Sequence, residues 1–244
     1  MKALILAAGY ATRLYPITKD YPKPLLEVGK KPIIDHILDK FERLDGVDEI
    51  LVVTNSKFMP HFRQWKKGLK TKKKITLIND LTKSHGDRRG AIGDMNFVIR
   101  KKRLRDDLLV VGGDNIFSGN LKRFFSFARR CKGPVIGAYN IKDKREARKY
   151  GVIRLDKGKR VVDFKEKPKD PGSSLIAMCI YYFPEDKLSL IKEYLRNRAS
   201  DKHDATGFYI DWLRRRTAVY GFVFEGVWYD IGDHKFYRKA QEDF

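Results

Sequence analysis

Two cations follow a small-residue turn near the start of this chain. The apolar run Lys2-Ala3-Leu4-Ile5-Leu6 leads into Ala7-Ala8-Gly9, and Arg13 and Lys23 come next. Small residues at the end of a buried strand let backbone N–H groups approach an anion, and fixed positive charge beside them completes a phosphate cradle. Two carboxylates stand at comparable places. Asp114 follows Val110-Val111-Gly112-Gly113, and Asp230 sits in Val227-Trp228-Tyr229-Asp230-Ile231-Gly232. Two carboxylates together with phosphate oxygens suit Mg²⁺, which takes oxygen ligands and keeps some waters. In Glu166-Lys167-Pro168, Glu166 can accept hydrogen bonds from hydroxyl groups and Lys167 can neutralise a phosphate. Gly151, after Tyr150, would let backbone approach a ligand. Taken singly, each signal has an ordinary reading: a turn glycine, a capping aspartate, a solvated Glu-Lys pair.

Other chemistries leave no signature. The dinucleotide fingerprint G-x-G-x-x-G is absent, as is the P-loop ending in Gly-Lys-Ser/Thr. Cys131 and Cys179 lie far apart without metal-like spacing, so neither a disulfide framework nor a zinc site is suggested. His36, His61, His85, His203 and His234 show no metal spacing and read as surface or structural residues.

These groups need a frame, and the pattern alternates strand and helix. Strands are expected at about 2–8, 49–54, 75–78, 108–111 and 134–139. Helices are expected at about 32–44, 57–68, 91–101 and 120–130. Pro32 suits a first helical turn, and Ile34, Ile37, Leu38, Phe41 and Leu44 recur at helical spacing. Residues 79–90 are polar and read as a loop. Beyond 140 the character changes. A hairpin is expected at 151–155 and 160–164 around Asp156-Lys157-Gly158-Lys159, then a long strand at 174–183. Helices at about 184–198 and 205–216, strands at 218–224 and 227–231, and a short terminal helix complete the reading. The predicted fold is α/β: a Rossmann-like wound, mostly parallel sheet in the first half, with an antiparallel extension in the second. Residues 1–244 read as one domain, with a lobe over about 1–140 and another over about 141–244. Ligands of such sheets bind beyond the carboxyl ends of the strands, which would gather the Gly9–Arg13 loop, the 79–90 loop and Asp114 along one edge.

The chain has 244 residues, 42% of them hydrophobic, and a formal net charge of +21. That length supports a real core. The charge favours anionic partners such as nucleotides and sugar phosphates. The basic residues are scattered in short clusters, and no recognised nucleic-acid module is present, so nucleic acid is not the expected partner. No long apolar run or signal-peptide pattern appears, which points to a cytoplasmic protein without a membrane partner. A homo-oligomer is left open.

In order, these pieces resemble the sugar-1-phosphate nucleotidyltransferases, which make nucleotide sugars. The carriers are Leu6-Ala7-Ala8-Gly9-Tyr10-Ala11-Thr12-Arg13-Leu14, Pro22-Lys23-Pro24-Leu25-Leu26, Gly113-Asp114-Asn115, Tyr150-Gly151-Val152, Phe164-Lys165-Glu166-Lys167-Pro168 and Trp228-Tyr229-Asp230-Ile231-Gly232. The resemblance implies a nucleoside triphosphate and a sugar-1-phosphate as substrates, with Mg²⁺ as cofactor. It implies that Ala7, Ala8, Gly9 and Gly90 line the nucleotide site, and that the loop of residues 79–90 faces the base, with Gly90 close to it. Arg13 would hold the β- and γ-phosphates and Lys23 the α-phosphate, both as catalytic residues. Asp114 and Asp230 would bind the metal, and Gly151, Glu166 and Lys167 the sugar phosphate. UTP or dTTP with a hexose-1-phosphate is the first expectation, from frequency in the family. A cytidylyl- or guanylyltransferase, an enzyme for a non-sugar phosphate, and a non-catalytic regulatory paralogue are the alternatives. Two departures stand out. The segment from Asn79 to Asp94 lacks the Gln-Pro pattern of thymidylyl- and uridylyltransferases. Ala11 replaces the second glycine of the family loop, which implies a turn that avoids φ values reserved for glycine.

Overall fold

The computed structural model describes residues 1–196 and 205–244. The first part runs β1 (Lys2–Leu6), short strands β2 (Glu27–Val28) and β3 (Lys31–Pro32), α1 (Ile33–Glu42), β4 (Glu49–Thr54), α2 (Met59–Gly68), β5 (Lys74–Asn79), α3 (Gly90–Lys102) and β6 (Leu108–Gly112). Next come β7 (Asn115–Phe117), α4 (Leu121–Arg130), β8 (Val135–Asn140), α5 (Lys144–Ala147), the hairpin strands β9 (Gly151–Leu155) and β10 (Val161–Glu166), and β11 (Leu175–Phe183). α6 (Ser189–Arg196), α7 (Thr206–Arg214), β12 (Tyr220–Phe224), β13 (Trp228–Asp230) and α8 (His234–Asp243) follow.

Apolar strands buried on both faces make a parallel core. β1 pairs in parallel with β4 and β6, Leu4 lying opposite Leu51 and Val110, and β4 pairs in parallel with β5. β1 and β6 expose almost nothing of Ala3, Leu4, Ile5, Leu109, Val110 or Val111. α1 covers one face with Ile34, Ile37, Leu38 and Phe41, the helical stripe its sequence predicted. α3, α6 and α7 cover the other, through Ile92, Met95, Ile191 and Leu213.

The fold class is the expected one: α/β, with a mostly parallel central sheet carrying antiparallel strands. Its division differs from expectation. The 134–139 strand was expected in the parallel half, yet β8 runs antiparallel to β11, and the late strand β12 pairs in parallel with β8. The reason is the length of β11. One edge pairs with β6 along the C-terminal half and meets β9 near the start, at Ile176↔Val152, while the other edge takes β8 along much of its length. One nine-stranded sheet therefore runs through both halves.

Several boundaries shift. β1 ends at Leu6; Ala7 keeps one last bond to β4 and Ala8 begins the loop. The helix expected at 184–198 is a short turn at Glu185–Lys187 followed by α6, and positions 197–198, like His203, lie outside the described residues. Among the described residues no helix is long and apolar enough to cross a membrane.

Candidate active site

A cleft of about 540 Å³ opens at the carboxyl ends of the parallel strands. Ala8, Gly9, Arg13, Lys23, Gly90, Asp114, Gly151, Glu166, Lys167 and Asp230 all line it. Ala7 does not: it is buried, and its N–H donates to the Val53 carbonyl at 2.9 Å, prolonging the β1–β4 ladder.

β7 and β13 explain how two distant carboxylates meet. They form a two-stranded antiparallel ladder in which Asp230 lies opposite Asn115, next to Asp114. The Ile231 N–H donates to the Asp114 carbonyl at 3.0 Å, and Trp228 Nε1 donates to Asn115 Oδ1 at 2.8 Å. β7 was not foreseen, since three residues after a glycine pair give no period to read. Gly113 is set by close approach: a Cβ there would lie 2.9 Å from the Leu6 carbonyl oxygen.

Lys23 Nζ donates to Asp114 Oδ2 at 2.5 Å. Burial alone would raise the Asp114 carboxyl, but the adjacent Lys23 ammonium outweighs it and holds the group below the ordinary aspartate range. Asp230 goes the other way. Burial, then the nearby Asp114 charge, pushes it up to about 6. Among the described residues, no group of three or more His, Cys, Asp and Glu is placed to hold a metal by itself. Two carboxylates that repel each other beside an open cleft fit Mg²⁺ bound through substrate oxygens and water as well as protein, because a cation relieves the repulsion that raises Asp230. Cys179 lines the same wall, and burial with the charges of Asp114 and Asp230 keeps its thiol neutral, pushed up to about 12.

The phosphate loop corrects one expectation. Ala11 adopts φ 47° and ψ 41°, the left-handed region, and does not avoid it. Such a conformation costs a non-glycine residue about 1–2 kcal/mol. Its neighbours hold it there. Tyr10 is buried against Phe58, its hydroxyl 3.1 Å from Thr82 Oγ1, and Thr18 Oγ1 donates to the Ala11 carbonyl at 2.8 Å. The short turn Thr12–Leu14 then sends the Arg13 guanidinium toward Gly232.

At the far end, Glu166 closes β10 opposite Gly151 of β9. Its carboxyl is largely buried, which raises it, with Lys167 opposing. The solvated-pair reading therefore fails for Glu166, though Lys167 stays exposed, its Nζ 3.9 Å from Glu166 Oε1. α7 supplies what the sequence did not reveal. Thr206 and Gly207 line the cleft, and a Cβ at Gly207 would lie 1.9 Å from Glu166 Oε2. Tyr181 donates its hydroxyl to Thr206 Oγ1 at 2.8 Å. Ala177, Cys179 and Tyr181 all face the cleft, and their period of two along β11 was the available signal. His85, read as surface or structural, also lines the cleft.

This arrangement offers cations at one end, carboxylates in the middle and a buried hydrogen-bond acceptor at the other end. Comparisons with known proteins agree with it. The model of a family described as nucleotidyl transferase matches residues 2–244. The chain is 28% identical over 233 residues to the bifunctional protein GlmU of Methanocaldococcus jannaschii, covering 95% of this chain and 51% of that protein. It is 31% identical to a candidate mannose-1-phosphate guanyltransferase of Sulfolobus acidocaldarius, covering 98% of this chain and 62% of the relative. The chain thus spans about half to three fifths of these relatives' lengths. Among solved structures, a candidate glucose-1-phosphate thymidylyltransferase from Bacillus anthracis in complex with sucrose superposes with a TM-score of 0.82 at 25% identity, covering 99% of this chain and 94% of that one.

Proposed function

Because the chain belongs to the nucleotidyl transferase family, we propose that it transfers a nucleotidyl group from a nucleoside triphosphate to a sugar-1-phosphate and releases pyrophosphate. One observation carries the reading: Lys23, Asp114 and Asp230 meet in the cleft that also holds Gly151 and Glu166.

An oxygen of the sugar phosphate attacks the α-phosphorus. The new P–O bond forms as the bond to the bridging oxygen breaks, and pyrophosphate leaves with the electron pair. The nucleophile is already an anion, so no general base is required. The barrier is the approach of two polyanions, which positioned cations offset. Arg13 takes the β- and γ-phosphates, Lys23 the α-phosphate and Lys167 the sugar phosphate. Ala8, Gly9 and Gly90 present backbone to the nucleotide. Glu166, largely buried and facing α7, accepts hydrogen bonds from sugar hydroxyls. Mg²⁺ held by Asp114 and Asp230 would supply charge neutralisation and Lewis acidity at the phosphates. Residues up to about 140 carry the nucleotide, and the remainder carries the sugar and the second carboxylate. The work belongs in the cytoplasm, where nucleoside triphosphates are available.

Thymidylyl transfer has precedent in the name of the Bacillus anthracis structure and guanylyl transfer in that of the Sulfolobus relative. The test is a grid of triphosphates against sugar-1-phosphates, with and without Mg²⁺, read by pyrophosphate release. Release that requires both substrates supports the reading. Nucleotide binding without release from any pair would mark a non-catalytic binder.

A further inference from the structure

The end of the cleft nearest Gly90 carries side chains that phosphate transfer does not employ. Asp94 lies one turn along α3 from Gly90 and is only 6% exposed, yet it lines the cleft. Arg88 lines the same cleft from the segment joining β5 to α3. That segment is well braced. Asp87 accepts the N–H groups of Lys83 and Ser84 at 2.9 and 2.7 Å. Arg88 Nη1 donates to the His85 carbonyl at 2.8 Å, and Arg89 Nε donates to the Asp80 carbonyl at 2.7 Å. The His85 ring meets Tyr10 edge-on, with centroids 6.3 Å apart. A guanidinium on a braced segment and a buried carboxylate on α3 thus line the same cleft.

The chemistry of the bases discriminates among occupants. Uracil and thymine offer one ring N–H between two carbonyl oxygens. A carboxylate that accepts from that N–H sets its second oxygen against a carbonyl. Cytosine and adenine offer an amino group beside an acceptor nitrogen, with the same penalty. Guanine alone places a ring N–H and an amino group side by side, matching both carboxylate oxygens, with O6 and N7 open to a guanidinium. We infer that Arg88 and Asp94 read the nucleobase and that together they favour guanine. The inference rests on the nucleotidyl-transfer reading for the location of the base, and it departs from the expectation of UTP or dTTP.

The test compares kcat/KM for GTP, UTP, dTTP, CTP and ATP in the wild type, Asp94→Asn and Arg88→Ala. Calorimetric binding of GDP and UDP without sugar phosphate accompanies it. The wild type should favour GTP over UTP by at least about tenfold. Asp94→Asn should shrink that ratio by about 10- to 100-fold, since an amide confronts guanine's two donors with one donor of its own. A wild-type preference for any other triphosphate overturns the inference, as does a GTP to UTP ratio that neither substitution changes. If no triphosphate is turned over, the nucleotidyl-transfer reading falls. The GDP to UDP binding ratio and its response to Asp94→Asn then decide the base inference separately.

Discussion

Asn115 and Asp230 lie opposite each other in a ladder only three residues long, and this pairing sets Asp230 beside Asp114 at the centre of the cleft. Both carboxylates are consequently defined by backbone register, and Lys23 reaches only one of them, Asp114.

That asymmetry gives Lys23 a large role. Lys23→Ala should lower the rate of pyrophosphate release by about 10²–10³-fold, the usual effect of deleting one preorganised charge contact. Circular dichroism should show the fold intact. A variant within a few-fold of wild type would remove Lys23 from the transition state.

Asp230 should be a stability liability when ionised. Its folded pKa is raised to about 6, so the folded state holds a proton that the unfolded state has released above about pH 4. Stability contributed by this group is therefore present at low pH and lost as pH rises through about 6. Asp230→Asn should raise the melting temperature at pH 8, by a free energy of up to about 3 kcal/mol, and the gain should nearly vanish at about pH 3.5, below the unfolded-state pKa. Activity should disappear in the same variant. Thermal melts at the two pH values check the sign, and Mg²⁺ should narrow the difference at pH 8 by stabilising only the wild type.

Gly207 lets α7 rest against Glu166. A methyl group there has nowhere to go, since its carbon would lie 1.9 Å from Oε2. Gly207→Ala should displace the carboxylate, raise KM for the sugar phosphate by tenfold or more and leave KM for the triphosphate nearly unchanged. Stability should fall by about 1–3 kcal/mol, the usual cost of overpacking. Equal effects on both KM values would contradict the assignment of Glu166 to the sugar end.

Ala11 offers a test of the loop. Its left-handed backbone suits glycine better than alanine, but glycine gives back part of that gain as chain entropy. Ala11→Gly should therefore hold or raise stability, by up to about 1 kcal/mol, while Ala11→Val should lose about 1–2 kcal/mol. Urea midpoints distinguish the two. A loss on Ala11→Gly would mean that the turn does not adopt this conformation in solution.

The parallel core was legible because buried strands and amphipathic helices impose long periods, as in Ile34, Ile37, Leu38 and Phe41. Asp114, Asp230 and Glu166 could be read from their places at the ends of apolar segments. Short-range and tertiary features were hidden. β7 is too brief to show a pattern, and the left-handed turn at Ala11 is enforced by Tyr10, Thr18 and Thr82 against local preference. Thr206 and Gly207 sit far along the chain from Glu166, and only the packing of α7 on β10 brings them to it. Asp94 closed the segment that departs from the Gln-Pro pattern, but its burial and its position beside the cleft come only from the packing of α3.

An unbroken hydrogen-bonded path leads from β5 through β4, β1, β6, β11 and β9 to β10. A protein built this way resists opening like a pair of jaws, because the nucleotide-holding strands and the hairpin that bears Gly151 and Glu166 belong to one sheet, the hairpin joining β11 at Ile176↔Val152. Substrate entry and product escape must instead be managed by loops and helix ends around the mouth. Turnover should accordingly be more sensitive to glycine insertion in those rim segments than to viscosity-dependent movement of whole lobes.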